Sequence, residues 1–69
     1  MPLHFASFNE ENEIRLIKGT DKIKKHLNNL GFVVGEKVTV VNKVNENLIV
    51  KIKGVTFAIS HELANRIYV

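Results

Sequence analysis

The sequence predicts a mainly β protein: a small barrel of five or six antiparallel strands with one covering α-helix and one short C-terminal helical turn. Two patterns lead to this class. From Lys37 onward, short segments alternate apolar and polar residues between Asn or Gly turns, whereas only residues 20–30 show helical periodicity. A chain of 69 residues has room for one domain, residues 1–69, and a partly open barrel leaves few free strand edges.

The N-terminal part is predicted to contribute two strands. Residues 1–12 show no sustained period, but Leu3 and Phe5 favour a short edge strand that packs on the barrel. Residues 13–19 alternate more clearly, and we expect Ile14 and Leu16 to share one face of a strand, with Arg15 and Ile17 on the other.

The one predicted helix buries a stripe of Ile23, Leu27 and Leu30, which recur at i, i+4 and i+7. A side-chain oxygen of Thr20 or Asp21 is expected to cap the first turn of this helix. The polar side of the helix is rich in lysine and asparagine.

Two glycines are predicted to stop the helix and to turn the chain. Gly31 follows the last apolar position, where a left-handed residue is favoured, and Phe32 is then expected to lie against Leu27. Gly35 suits the positive φ angle of a type II turn. The chain would thus reverse and enter a strand at Lys37.

The remaining strands follow one another at short spacing. Residues 37–44 and 48–53 alternate on either side of a turn at 45–47, which is typical of a hairpin. Gly54 makes the next turn, and residues 55–59 alternate in a further strand.

The C-terminal residues predict a capped helical turn and a last strand. Ser60 is a suitable cap for one turn over residues 61–65. Residues 66–69 are short and β-prone, and we expect them to pair with the first strand.

Charge is distributed unevenly along the chain. All ten Lys and Arg residues follow Glu13, whereas three of the seven acidic residues precede Ile14. The basic region after Glu13 favours an acidic partner, which could be a protein, a nucleic acid or a membrane leaflet. Equally, its charges could serve only to keep the protein soluble. No apolar run reaches the roughly 18 residues that cross a bilayer and no signal peptide is visible, so we expect a cytoplasmic protein without membrane insertion.

Catalytic and metal-binding patterns are weak. The chain has no cysteine, no nucleophile elbow and no phosphate-binding loop, which predicts that the protein is not an enzyme. His4, His26 and His61 lie in three separate predicted elements, so we expect no tightly bound cofactor. A weak transition-metal contact through a neutral imidazole stays open.

Four groups of residues occur in a recognisable order: a leucine-rich helix ending in Leu-Gly-Phe and a second glycine, a valine strand, a glycine turn, and a spaced Ile-Ala-Ile-Val ending. They comprise Leu27, Leu30, Gly31, Phe32, Gly35, Val38, Val40, Val41, Ile52, Gly54, Ile59, Ala64, Ile67 and Val69. In this order, over residues 3–69, the sequence resembles the FeoA family, the small cytosolic SH3-like component of bacterial ferrous iron uptake. It departs from the family at Val34, where proline is frequent, and at Ser60, where arginine is frequent.

The resemblance implies an SH3-like barrel that acts as a regulatory or assembly protein of ferrous iron uptake. The implied partner is the cytosolic domain of a membrane iron transporter that carries a GTP-binding domain, and we expect a monomer or weak dimer. The same barrel occurs in iron-dependent repressors, so a repressor-type regulatory domain and a nucleic-acid-binding module stay open as alternatives. Nucleic acid is disfavoured because Tyr68 is the one aromatic residue of the basic region expected at the surface.

The partner-binding surface is predicted on the polar side of the helix and on the apolar turn that follows it. Basic and amide groups beside an exposed apolar centre are typical of transient protein interfaces. The predicted residues are Lys24, Lys25, Asn28, Asn29, Phe32 and Val33. In the competing interpretation the lysines only maintain solubility and the valines pack into the barrel. Gly31, Gly35 and Gly54 are predicted as structural turns.

Overall fold

The computed structural model describes every residue from Met1 to Val69 and contains six strands, two α-helices and one 3₁₀ helix. The strands are β1 (Glu11–Glu13), β2 (Leu16–Ile17), β3 (Lys37–Val44), β4 (Asn47–Ile52), β5 (Val55–Ser60) and β6 (Ile67–Tyr68). The helices are the 3₁₀ helix Leu3–Phe5, α1 (Asp21–Leu30) and α2 (His61–Ala64). The predicted mainly β class is confirmed. Neither α-helix has the length and apolar character needed to cross a bilayer.

The strands pair in two antiparallel sheets. One sheet has four strands in the order β1, β3, β4, β5, and the other joins β2 to β6. No strand pairing connects the two sheets, so the small barrel is partly open. The predicted return of the C-terminal segment is confirmed by the pairs Leu16 with Tyr68 and Ile17 with Ile67.

A core of 14 buried apolar residues joins the two sheets, α1 and the 3₁₀ helix. Phe32 is its largest fully buried side chain, and its ring meets Phe57 edge-on with 5.5 Å between the ring centroids. Leu48, Val50 and Ile52 face the core from β4, as their alternation predicts.

Both ends of α1 are fixed by local hydrogen bonds. At the start, the Ile23 N–H donates to the Thr20 hydroxyl oxygen at 3.3 Å. At the end, Gly31 has a φ of 106°, and the Phe32 N–H donates to the Leu27 carbonyl at 3.0 Å. This is the 6→1 bond of a Schellman motif, so the predicted helix stop is confirmed. Leu30, in contrast, is 37% exposed rather than part of the buried stripe.

The other two predicted glycine turns are also confirmed. Gly35 has a φ of 95°, and the Glu36 N–H donates to the Val33 carbonyl at 3.1 Å, as in a type II turn. Lys53 and Gly54 have φ angles of 50° and 79° and form the two-residue turn between β4 and β5. Two positive φ angles are the mark of a type I′ hairpin turn.

The first hairpin of the large sheet has a tighter turn than the sequence predicts. Asn47 pairs with Val44 and therefore belongs to β4, which leaves Asn45 and Glu46 as the loop in place of residues 45–47. Asn45 has a φ of 57°, a conformation that Asn adopts more readily than most residues.

The N-terminal segment forms a 3₁₀ turn where an edge strand is predicted. The Phe5 N–H donates to the Pro2 carbonyl at 3.1 Å, and the Ala6 N–H donates to the Leu3 carbonyl at 3.0 Å. Residues three apart share one side of a 3₁₀ helix, so Leu3 and Ala6 are both buried while Phe5 is 67% exposed. The strand prediction is wrong here because the period is three and not two.

The strand predicted over residues 13–19 is divided between the two sheets. The Ile14 N–H donates to the Glu36 carbonyl at 2.9 Å, beside β3. The Arg15 N–H donates to the Tyr68 carbonyl at 2.8 Å, in β6. The chain therefore passes from one sheet to the other between two consecutive residues.

This crossover changes the orientation of the residues that follow it. Ile14 is buried, but Leu16 is 46% exposed and Ile17 is buried instead. The prediction that Leu16 shares a face with Ile14 is wrong, because a period of two holds only along one continuous strand.

Candidate functional site

An apolar groove lies between α1 and β2 and has a volume of about 420 Å³. Its lining comes from three segments: one side of α1, the whole of β2, and the turn that follows α1. The lining residues are Leu16, Ile17, Lys24, Asn28, Val33 and Val34. We call it the α1–β2 groove.

A different interaction holds each of the three segments in place. Lys24 and Asn28 are four residues apart on α1 and therefore occupy the same side of the helix. β2 is held by its pairing with β6. The turn carrying Val34 is fixed where the Gly35 N–H donates to the Ile14 carbonyl at 2.8 Å.

Two apolar side chains of the α1–β2 groove are open to solvent. Val34 is 63% exposed and Leu16 nearly half exposed, and they adjoin the buried Ile17. Scattered exposed hydrophobic residues are common on proteins, but here they line one depression with polar groups at its side. An arrangement of this kind is suited to bind an apolar side chain of another molecule.

The polar side of the groove is positively charged. Its lining includes one ammonium group, from Lys24, and no carboxylate. Lys22 and Lys25 add further charge on α1, where Asp21 is the one acidic residue. The three ion pairs of the protein involve other residues, so the lysines of α1 are not neutralised within the molecule.

A second depression, of about 400 Å³, lies on the outer face of the large sheet and has no apolar lining. Its cations are largely compensated: Lys53 lies 3.5 Å from Glu36, and Lys37 lies 3.6 Å from Glu13. Lys51 is the lining lysine without an ion pair. This depression lacks the apolar surface that distinguishes the α1–β2 groove.

The structure brings half of the predicted partner-binding residues together. Lys24, Asn28 and Val33 line the α1–β2 groove. Lys25 and Asn29 are exposed on α1 but do not line it. The placement of Phe32 at an exposed apolar turn is wrong: its side chain is 0% exposed, because the Schellman stop directs it into the core against Phe57.

Three lining residues were not predicted from the sequence. The sequence predicts Leu16 and Ile17 on opposite faces of a strand, and it does not include Val34 among the partner-binding residues. The sequence does contain a signal for β2. Leu16 and Ile17 are adjacent apolar residues, and since neighbouring side chains of a strand point to opposite faces, one of the two must lie on the face away from the core.

Two of the three histidines, which were predicted in separate elements, are neighbours in space. The rings of His4 and His61 are 4.6 Å apart between centroids. Burial, followed by the nearby His61 and Lys43, lowers the pKa of His4 below its usual 6.5, and the Asn65 side chain opposes this shift. The His4 Nδ1 atom is buried without a hydrogen-bond partner. No group of three or more His, Cys, Asp or Glu side chains is arranged to hold a metal ion.

Comparison with known proteins identifies the chain. The family model described as FeoA domain matches residues 1–69. A crystal structure of an iron uptake regulatory protein (FeoA) superposes with a TM-score of 0.87 at 26% identity, covering 96% of this chain and 88% of that one. The solution structure of the FeoA protein from Chlorobium tepidum superposes with a TM-score of 0.86 at 20% identity, covering 99% of this chain and 67% of that one. No curated protein matches the sequence. Because the family model spans the whole chain, this protein belongs to the FeoA family.

Proposed function

We propose that this protein is a non-enzymatic regulatory or assembly protein of ferrous iron uptake, which binds the cytosolic domain of a GTP-binding membrane iron transporter. Its family supports the pathway, since the crystal structure similar to it is described as an iron uptake regulatory protein. The α1–β2 groove supports the mode of action, because it is an apolar depression with uncompensated cations beside it.

The groove fits a segment that presents an apolar side chain next to carboxylates. Val34 and Leu16 supply exposed apolar surface, and burying such surface contributes about 25 cal/mol per Å². Lys24 would attract the carboxylates and restrict their orientation, an effect that raises the association rate and weakens with salt. The apolar contact would supply affinity and the charge would supply selectivity.

The proposal does not include an arginine supplied to the nucleotide of the transporter, because of where the two arginines lie. Arg66 follows helix α2, and its guanidinium lies 3.9 Å from the Glu62 carboxylate in that helix. The Arg66 Nε atom is buried. Arg15 follows the crossover between the sheets, with its backbone bonded to Tyr68. Neither residue sits on an extended loop of the kind that delivers an arginine to a bound nucleotide.

Nucleic acid is the weaker partner. The Tyr68 ring is half-buried, with the Lys18 ammonium 4.6 Å from its centroid, so this face of the ring is already occupied. Phe5 and Phe8 are the exposed aromatic rings, and both lie within residues 1–13, which contain no Lys or Arg. Base stacking needs aromatic rings among cations, which this surface does not provide.

Two neighbouring lysines offer matched variants to test the site. Lys24→Glu and Lys25→Glu make the same charge change one residue apart, but only Lys24 lines the groove. In titration calorimetry at low salt against the transporter's cytosolic domain, we expect Lys24→Glu to weaken binding about tenfold or more and Lys25→Glu less than about threefold. Raised salt should weaken the wild-type complex.

Two exposed valines test the apolar part of the groove. Val34→Ser replaces two methyl groups in the groove with one hydroxyl, whereas Val44→Ser makes the same change at the end of β3. We expect only Val34→Ser to reduce binding, with the thermal midpoints of both variants nearly unchanged. Full-strength binding by both Lys24→Glu and Val34→Ser would overturn the groove as the site. If Lys51→Glu weakened binding instead, the interface would lie on the outer face of the large sheet.

A further inference from the structure

The two edges of the four-stranded sheet differ in length and charge. At one edge, β1 has three residues, and two of them are Glu11 and Glu13. At the other edge, β5 has six residues, Val55–Ser60, with no charged residue and no proline. Short strands and edge charges are the usual means by which proteins prevent edge-to-edge pairing. β1 is protected in this way, and β5 is not.

The outer edge of β5 has unpaired backbone groups. Its inner edge pairs with β4 from Asn47–Ser60 to Ile52–Val55, and the type I′ turn directs the Val55 N–H toward β4. Because successive residues of a strand direct their N–H and C=O groups to opposite sides, Thr56, Ala58 and Ser60 direct theirs away from β4. No other backbone hydrogen bond reaches these groups in Thr56 and Ala58, whereas at Ser60 only the N–H is free, because the Ser60 carbonyl begins helix α2.

The side chains at this edge leave room for a further strand. Thr56, Ala58 and Ser60 are small, uncharged and exposed, and they share the outer face of the sheet. Val55, at the start of the strand, is 59% exposed. An edge with small side chains and free backbone groups is the surface that strand addition requires.

We propose that β5 pairs antiparallel with β5 of a second copy of this chain, which joins the two four-stranded sheets into one continuous sheet of eight strands. The contact is isologous and therefore closes as a dimer. It is separate from the α1–β2 groove and leaves that groove free.

Charge complementarity favours a second copy over other occupants. In an antiparallel pair related by a two-fold axis, the residues that precede one strand lie beside the residues that follow the other. Lys53 precedes β5 and Glu62 follows it, and their side chains are 63% and 82% exposed. Each has a partner in its own molecule, Glu36 at 3.5 Å and Arg66 at 3.9 Å, but exposed ion pairs of this length contribute little and leave both groups able to turn to a second copy. Each copy therefore brings a cation next to the anion of the other, twice across the axis. The uncharged strand places no like charges opposite each other.

Other arrangements of two copies are less favourable. Pairing β1 with β1 would place Glu11 and Glu13 beside the same carboxylates of the second copy. Pairing β5 with β1 would form about half as many hydrogen bonds and would not close, so it would produce chains of molecules. The β5 pair is short for a protein interface, and we expect a dissociation constant between about 0.1 and 1 mM.

The test is a dilution series of the isotope-labelled full chain, followed by two-dimensional NMR between about 0.05 and 2 mM. We expect the amide signals of Thr56, Ala58 and Ser60 to shift with concentration and their hydrogen exchange to slow as the dimer forms. Sedimentation should show a monomer–dimer equilibrium with no larger species. Signals at β5 that do not change with concentration, or a series of larger species, would overturn the proposal.

Two variants with the same added charge provide the control. Thr56→Lys places a cation on the β5 edge, whereas Asn29→Lys places one on the exposed surface of α1. We expect Thr56→Lys to raise the dissociation constant at least about tenfold and Asn29→Lys to leave it within about twofold. Equal dissociation constants for the two folded variants would overturn the β5 contact. The hydrogen-exchange measurement on the wild-type chain decides the question if Thr56→Lys does not fold.

Discussion

The N-terminal segment, residues 1–17, and the segment of α1 with its following turn, residues 20–36, are organised by different interactions. Helix α1 starts and stops through bonds between near neighbours, Ile23 to Thr20 and Phe32 to Leu27. The N-terminal segment is bonded to distant parts of the chain, as when Arg15 donates to the carbonyl of Tyr68. The conformation of α1 therefore follows from its own residues, while that of the N-terminal segment depends on where its partners lie.

The strongest test of this difference is the removal of a core contact from the N-terminal segment. Leu3 is 0% exposed although it lies in a single 3₁₀ turn. We expect Leu3→Ala to reduce the free energy of unfolding by about 3 kcal/mol, because it leaves a cavity in the core. Phe5→Ala, in the same turn but exposed, should change it by less than about 0.5 kcal/mol. Urea unfolding measures both, and equal effects would show that the 3₁₀ turn does not anchor the segment to the core.

A smaller effect is expected at the helix stop. Gly31→Ala adds a Cβ atom at a φ of 106°, and this atom would lie 3.1 Å from the Ile52 Cγ2 atom. We expect a loss of about 1 to 2 kcal/mol, because the left-handed strain and the close contact add together. Gly35 has a φ of 95°, but a Cβ atom added there would meet no neighbouring atom within 4 Å. Gly35→Ala should therefore reduce the free energy of unfolding by about 1 kcal/mol, from backbone strain alone. A larger loss for Gly35→Ala in urea unfolding would contradict this explanation.

The smallest expected effect concerns pH. The pKa of His4 is lowered in the folded protein, so between that value and the usual 6.5 the unfolded chain binds more protons than the folded one. Stability should therefore be full above about pH 6.5 and fall as the pH decreases through this window. His4→Gln should flatten this dependence of the urea midpoint on pH, whereas His26→Gln, in α1, should retain it. An unchanged slope in His4→Gln would show that His4 is not the group responsible.

The same division explains how far the sequence predicts the fold and the site. The helix, its Gly31 stop and the Gly35 and Gly54 turns could be predicted because glycine and capping residues act within a few positions. Lys24 and Asn28 could be placed on one side of the helix for the same reason. The orientation of Leu16 could not, because it depends on the bond from Arg15 to a strand at the other end of the chain.

Phe32 shows a different limit of sequence interpretation. It adjoins Val33 and Val34 along the chain, and position alone does not separate a core residue from a surface one. The helix stop that the sequence does predict places Phe32 against Leu27, and therefore inside. The glycine geometry was a better guide to its burial than its apolar neighbours.

The pairing of β2 with β6 closes a loop from Leu16 to Tyr68, about three quarters of the chain. Such a long-range contact carries a high entropic cost of closure, whereas the β3–β4–β5 hairpins join near neighbours. We therefore expect β2 and β6 to form late in folding and to separate in local openings that leave the hairpins intact. Leu16 and Ile17, which form β2, also line the α1–β2 groove. A partner bound in the groove would hold β2 in place and oppose the separation of β2 from β6. Its binding should therefore be seen first as slower hydrogen exchange of the Arg15 and Lys18 amides, which donate to Tyr68 and Arg66.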